Sequence, residues 1–499
     1  RTAVHAAVIA ALATAAACAP RTVDPLTPPP VVTHRDPQIR QLQHDLAAIF
    51  AAAELERGSA GVVVQSVDRG DTLFRYNAHR LLIPASALKL ITVAVAAEVL
   101  GWDYRFTTTL SATGPIEGGV LRGDLVVTGE GDPSISRRYF EDAPVLEAWA
   151  RRLAADGLRR IEGRLVADDR AFAPVPWGHG WEWEDVRYAY GAPVSALHVN
   201  EATAPLLIVP GLEAGDPASV SLLQSYGLTV EADVTTAQTG TPPDIEFHRV
   251  PGEKRLRVTG RIAEDAEPLL LRAAVPDATR QFLEALQDAL QANGIIVTGG
   301  LSTISESDDP PVALAPPLLE HRSPPLSALA AVTLKDSHNL HAEALLRAIA
   351  RTGQPVASDE AGVTIVSRVL KEWGVPEGSV AAADGSGLSR RNYATPDALL
   401  TVLRRMATDE RHRDHWLAAL PLAGSEGTLA RRFESGPARG RVRAKTGSLA
   451  YVRALAGYVR SADEELLAFA IMLNDASAPR SSLDNAIDRA VNRLAEFRR

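Results

Sequence analysis

Across residues 37–58 the apolar positions Ile39, Leu42, Leu46, Ile49 and Phe50 recur every three or four residues, which predicts an amphipathic helix. Gly61-Val62-Val63-Val64 then opens a strand, Asp68-Arg69-Gly70-Asp71 makes a hairpin turn, and Thr72-Leu73-Phe74-Arg75-Tyr76 returns. Near the other end, residues 442–444, 453–459 and 466–473 are three further strand-like runs, and residues 483–497 read as a closing helix. A helix and hairpin at one end and a meander and helix at the other predict one antiparallel sheet built from both ends of the chain.

The middle has a different character. From about residue 106 onward come short alternating strands, frequent Gly and Pro turns, and the tryptophans Trp177, Trp181 and Trp183. Residues 206–270 are β-like, with Leu206-Leu207-Ile208-Val209 as one apolar run, and Phe282 to Ala292 reads as an amphipathic helix. The expected class is α/β in the broad sense, more strictly α+β: an antiparallel sheet with helices, interrupted by inserted, mostly-β domains. The expected limits are residues 37–105 and 315–499 for the main domain, 106–205 and 271–314 for an inserted domain, and 206–270 for a β domain within it.

The first residues have another purpose. Ala3 to Ala17 is an uncharged, alanine-rich run after Arg1, too short for a confident membrane span, and residues 1–19 resemble an export signal. The sole cysteine, Cys18, follows Ala15-Ala16-Ala17, so no intrachain disulfide forms. Two readings stay open: a lipid anchor on Cys18, or ordinary cleavage after an A-x-A site. Residues 20–36, with Pro28-Pro29-Pro30, read as an extended tether.

A chain of 499 residues exceeds one hydrophobic core, and 46% hydrophobic with 23% charged residues is the composition of a globular protein. The formal charge of −9, with no basic stripe, argues against a nucleic-acid partner.

Three short segments carry the chemistry: Ser86-Ala87-Leu88-Lys89, Ser337-His338-Asn339 and Lys445-Thr446-Gly447. They match the S-x-x-K, S-x-N and K-T-G elements of serine acyl-transferases. Each alone is more simply an ordinary helix start or turn; three in order reverse that weighting. Pro84 and the apolar run after Lys89 put Ser86 at the start of a buried helix. Residues i and i+3 share a helix face, so Lys89 reaches Ser86 and serves as its base once burial or a neighbouring cation, Lys445, lowers its pKa. Ser337 would relay a proton to the leaving amine, and Asn339 would hold Lys89 and the substrate amide. Lys445 and Thr446 would bind a substrate carboxylate. Gly447 would let a substrate backbone approach the strand edge. The backbone N–H groups of Ser86 and Ser448 would form an oxyanion hole.

Beyond the triplets stand Gly129-Glu130-Gly131-Asp132-Pro133-Ser134, Tyr190-Gly191-Ala192-Pro193-Val194-Ser195-Ala196-Leu197 ending at Asn200, Asp384-Gly385-Ser386-Gly387-Leu388-Ser389, and Gly424-Ser425-Glu426-Gly427-Thr428-Leu429. With these blocks, residues 37–499 resemble the class C low-molecular-mass penicillin-binding proteins, D-alanyl-D-alanine carboxypeptidase/endopeptidases of the penicillin-binding protein 4 type. The resemblance implies an enzyme of the cell envelope, periplasmic or lipid-anchored, with a penicillin-recognising domain split by two insertions. Its implied partners are peptidoglycan stem peptides and β-lactams, with no metal or organic cofactor; a homodimer is left open. Two rivals remain at this point: a serine β-lactamase or esterase using the same elements, and a catalytically silent peptidoglycan-binding scaffold. One departure is His338, where this family usually carries Asp; Asp at 338 is expected to change acylation by less than about tenfold.

Other clusters favour the plainer reading. The pairs His338 and His341, and His412 and His415, have a spacing that two metal ligands on a helix use, yet no carboxylate-histidine grouping completes a zinc site and helix-surface positions are expected. Trp177, Trp181 and Trp183 are expected to pack between domains in preference to stacking on sugars. Gly129-Glu130-Gly131 lacks the Lys-Ser/Thr of a phosphate loop.

Overall fold

Strand Ser59–Ser66, near the start of the chain, pairs antiparallel with Leu466–Asn474, near its end, in unbroken register from Ser59↔Asn474 to Ser66↔Leu467. The computed structural model that shows this describes residues 35–52, 55–142, 144–304, 316–475 and 478–499. The export-signal and Cys18 readings, and most of the tether, lie outside the described residues. The full sheet runs in the order Thr72–Tyr76, Ser59–Ser66, Leu466–Asn474, Val452–Arg460, Val442–Leu449. It is the antiparallel sheet expected from the two ends.

Two apolar layers sandwich this sheet. On one face, helices Pro37–Phe50 and Arg480–Glu496 bury Ile39, Leu42, Leu46, Ile487 and Val491 against Val62, Val64, Leu455 and Phe469. The first helix stops at Phe50, short of the expected residue 58, because the chain turns to bury Leu55 in the same core. On the other face lies Lys89–Leu100, whose residues 89–97 are all buried, as a helix apolar on every side requires. Helices Asn339–Arg351 and Pro396–Thr408 pack around it.

Strands within residues 106–304, joined by Leu319–Arg322, build further sheets. Strands Leu301–Thr303, Leu165–Asp168, Leu125–Gly129, Thr107–Ala112 and Leu319–Arg322 form a mixed five-stranded sheet, with helices Val145–Ala155 and Ala278–Ala292 contributing to its core. Strands Thr229–Ala237, Arg255–Ala263 and Asp244–His248 form a smaller sheet over Leu206, Phe247, Leu256 and Val258. No helix among the described residues is long and apolar enough to cross a membrane.

Candidate active site

Ser86 stands in a single 3-10 turn, Ala85–Leu88, that runs into the Lys89–Leu100 helix. In 3-10 geometry side chains at i and i+3 eclipse, so Lys89 lies over Ser86. The preceding residue, Ala85, has φ 47°, a left-handed conformation that alanine adopts only when its surroundings impose it. Gly387 and Gly447 are the surroundings: a Cβ on Gly387 would meet Ala85 O at 2.0 Å, and one on Gly447 would meet Pro84 O at 2.5 Å. Gly447 thus has a use beyond the one expected from sequence. Glycine there lets the strand close on the turn that carries Ser86.

Lys89 Nζ is fully buried and donates to Ser86 Oγ (3.0 Å), Asn339 Oδ1 (2.7 Å) and the Ser386 carbonyl (2.6 Å). Burial lowers its pKa to about 7, against the opposing pull of the Asp384 and Glu343 carboxyls. Of the two causes expected from sequence, burial is the one that depresses it. Lys445 Nζ, also buried, donates to Ser337 Oγ (2.8 Å) and the Thr446 carbonyl (2.9 Å). Its pKa is held well below the usual value by burial first and by the Lys89 charge second.

The three segments thus converge. Ser337 is left-handed, φ 61°, at the turn before the Asn339–Arg351 helix. Asn339 holds Lys89 as expected, but its amide nitrogen donates to the Tyr190 carbonyl at 2.8 Å instead of pointing free to a substrate. Thr446 Oγ1 donates to Thr428 Oγ1 at 2.9 Å. Val442–Leu449 is the edge strand of its sheet; Pro421 and Ala423 cover its first residues, and Ser448 and Leu449 face the cleft. A cleft of about 410 Å³ is lined by Ser86, Ser337, Asn339 and Ser448, with Glu182, Asp185 and Tyr190 on a wall supplied by the middle of the chain. Arg390 ties that wall to the edge-strand hairpin, donating to Glu182 Oε1 (2.8 Å) and to the Ala450 carbonyl (3.3 Å).

A serine beside a buried lysine, with a second serine–lysine pair at the same cleft, has the chemistry that a serine acyl-transferase needs. The model of the D-Ala-D-Ala carboxypeptidase 3 (S13) family matches residues 42–495. The chain belongs to this family. It is 34% identical over 476 residues to a D-alanyl-D-alanine carboxypeptidase of Actinomadura sp. (strain R39), covering 92% of this chain and 85% of that one. It is 29% identical over 451 residues to the D-alanyl-D-alanine carboxypeptidase DacB of Haemophilus influenzae, covering 89% and 90%. Among solved structures, penicillin-binding protein 4 (dacB) of Haemophilus influenzae superposes with a TM-score of 0.78 at 28% identity, covering 91% of this chain and 99% of that one. The same protein has been solved complexed with a β-lactam, TM-score 0.73 at 27% identity, covering 91% and 100%. This S13 chain is accordingly a serine-type D-Ala-D-Ala carboxypeptidase.

Residues that no triplet named complete the site of this carboxypeptidase. Asp384 accepts from the backbone N–H groups of Gly387 and Ser389 and from Trp181 Nε1, fixing the loop whose Ser386 carbonyl meets Lys89. Glu343, its carboxyl pushed up to about 8 by burial and then by Asp384 and Asp359, accepts from the N–H groups of Gly385 and Ser386. Asp384 and Ser386 lie in the D-G-S-G-L-S block, which was the available signal; Glu343 carried none. Of the tryptophans, Trp181 packs against a cluster shared by Phe172 and Val194 from the middle of the chain and Leu340 and Ala350 of helix Asn339–Arg351, as expected, whereas Trp183 is 57% exposed.

Of the histidine pairs, His415 is exposed as expected, whereas His341 and His412 differ from their expected surface positions. His341 is fully buried and lies with its ring centroid 4.4 Å from that of His338. His412 is buried beside Glu98 and Asp409, the one trio among the described residues whose ligand atoms lie within 4.8 Å. Trp102 Nε1 donates to His412 Nδ1 at 3.1 Å, and Arg411 contacts both carboxylates, at 3.2 Å and 2.8 Å. Guanidinium already fills the role a cation would have there, and the trio reads as an ion-pair network.

Proposed function

We propose that Ser86 is the acylated nucleophile of a D,D-peptidase acting on peptidoglycan stem peptides, with Lys89 as its base. The observation that carries this is the set of oxygens around Lys89 Nζ. An ammonium has three hydrogens, and three acceptors surround it. Loss of one proton leaves two hydrogens for Asn339 Oδ1 and the Ser386 carbonyl, so the lone pair faces Ser86 Oγ. A pKa of about 7 makes that neutral form available near neutral pH.

In the forward step the Ser86 Oγ proton passes to Lys89 and Oγ bonds to the carbonyl carbon of the penultimate D-alanine. Backbone N–H groups of Ser86 and Ser448 receive the oxyanion. The proton taken by Lys89 then passes through Ser337, backed by Lys445, to the leaving nitrogen, the C–N bond breaks, and D-alanine departs with Lys89 neutral again. Water then attacks the ester carbon and gives a proton to Lys89, which returns it to Ser86 Oγ as the ester C–O bond breaks and the acid leaves. Asp185 on the cleft wall, beside the Glu182–Arg390 ion pair, offers a carboxylate to a cationic substrate group, such as the free amine of a stem-peptide diamino acid. A crosslink placed across the same cleft would be cut by the same chemistry, which extends the reading to endopeptidase activity. Export to the envelope, with the domain limits given above, completes the proposal; the alanine-rich leader and the tether in the sequence support it.

Digestion of purified muropeptides, followed by mass analysis, tests the assignment against a Ser86→Ala control. The native chain should remove one terminal alanine, and the variant should not. Equal products from both, or rapid turnover of penicillin with no action on muropeptides, overturns it.

A further inference from the structure

The turn Asp336-Ser337-His338-Asn339 is gripped from two sides. From the terminal sheet, Lys445 holds Ser337 Oγ. The three neighbours of Ser337 are held by the middle of the chain. Arg138 Nη1 donates to Asp336 Oδ2 at 2.8 Å, His338 Nε2 stands 3.2 Å from Glu201 Oε2, and Asn339 Nδ2 donates to the Tyr190 carbonyl. Arg138 Nε also donates to Glu201 Oε1, so one guanidinium and one carboxylate form a single fork across the turn.

The backbone under Glu201 is unusual. Asn200, Glu201 and Ala202 have φ values of 50°, 63° and 53°, three successive left-handed residues with no glycine among them. Such a run persists only where neighbours impose it. Here Asn200 N donates to Ile135 O (2.9 Å), Val275 N to Ala202 O (3.0 Å), and Thr203 Oγ1 to Asn200 O (2.8 Å). The effect is to aim the Glu201 side chain at a turn that is itself left-handed at Ser337.

Side-chain exposure is 11% for Glu201 and 13% for His338. Burial opposes the Glu201 charge, but the hydrogen bonds and charges of His338 and Arg138 outweigh it and hold the carboxyl well below its usual range. The other groups facing the pair are Asp336, Tyr139 and the buried His341 and His198; burial keeps both of these histidines well below the ordinary imidazole value. Glu201 is the carboxylate facing His338 from the insertion.

We propose that Glu201 and Arg138 are positioning residues for Ser337, and that His338 and Glu201 are a matched pair which an acidic residue at 338 would break. This rests on the reading of Ser86 and Ser337 given above. A proton relay is sensitive to displacements well below 1 Å, and a carboxylate at 338 would face Glu201 directly. The expectation that Asp is tolerated there is thereby reversed.

The test is the second-order rate at which a fluorescent penicillin acylates Ser86 in native, H338D, E201Q and H338D/E201Q chains, across pH. H338D should acylate about tenfold more slowly than the native chain at neutral pH, and the gap between the two at equal pH should close as pH falls, because two facing carboxylates cannot both stay charged. E201Q should slow the native chain about threefold or more yet speed the H338D chain, an inversion that loss of structure alone does not produce. Native and H338D rates within about threefold of each other at every pH overturn the inference. If H338D does not fold, E201Q alone decides: slower acylation with an unchanged thermal midpoint supports positioning, and an unchanged rate overturns it. Absence of label on the native chain would instead sink the Ser86 reading. The thermal midpoints of the same four chains then still report the pair, with additive shifts overturning it.

Discussion

Lys89 Nζ and Ser86 Oγ are 3.0 Å apart, with the remaining hydrogens of Lys89 committed to Asn339 and Ser386. The geometry leaves one direction for the lone pair of the neutral amine. Acylation by penicillin should therefore rise with pH through about 7 and level off above it, because the deprotonated form is the base. A rate that is flat over this range, or that rises only near the ordinary lysine value, removes Lys89 from that role.

Asn339→Asp places a carboxylate 2.7 Å from Lys89 Nζ in place of a neutral oxygen. A near opposite charge favours the ammonium, so the acid limb of the acylation profile should move upward by about 1–3 units. A limb that stays put or moves down contradicts the proposed hydrogen-bond set.

Ser337→Ala leaves Lys445 Nζ with the Thr446 carbonyl alone among its two acceptors. Hydrolysis of a D-alanyl-D-alanine peptide should fall by about 10²–10⁴, the usual range for a lost proton-transfer group. Steady-state kinetics at neutral pH check this, and a loss of less than threefold or so would leave Ser337 without a relay function.

Gly447→Ala puts a methyl group 2.5 Å from Pro84 O and 3.3 Å from Ala85 Cβ. Overpacking of this kind costs about 1–3 kcal/mol. A chemical-denaturation midpoint lower than the native one, together with slower penicillin labelling of Ser86, is the expected result. A chain of native stability and native labelling would mean that this contact does not set the position of the serine turn.

The terminal sheet and the three segments that meet at the cleft were legible because their information is local. Val62–Val64, residues 453–459 and residues 466–473 are apolar runs bounded by turns, and Ser86 and Lys89 are three residues apart. What escaped was information carried by backbone atoms and by distant pairs. The carbonyls of Ser386 and Tyr190 act through atoms every residue possesses. Glu201 finds His338 only because three left-handed residues turn it there, and no periodicity announces such a turn. His341 was expected at a helix surface because histidine is polar and Glu343, Arg347 and Arg351 share its helix, yet the helix is buried nearly all round.

Strand Ser59–Ser66 waits for a partner, Leu466–Asn474, that is about 400 residues further along the chain. Until that partner has been synthesised, the platform under Ser86 is missing its central hydrogen-bonded neighbour, and Lys445 has no fixed place from which to reach Ser337. Hydrolytic competence thus arrives late and all at once. A nascent chain that lacks this strand should therefore be inert toward acyl substrates, and a premature stop before Leu466 should silence the enzyme although the nucleophile is intact.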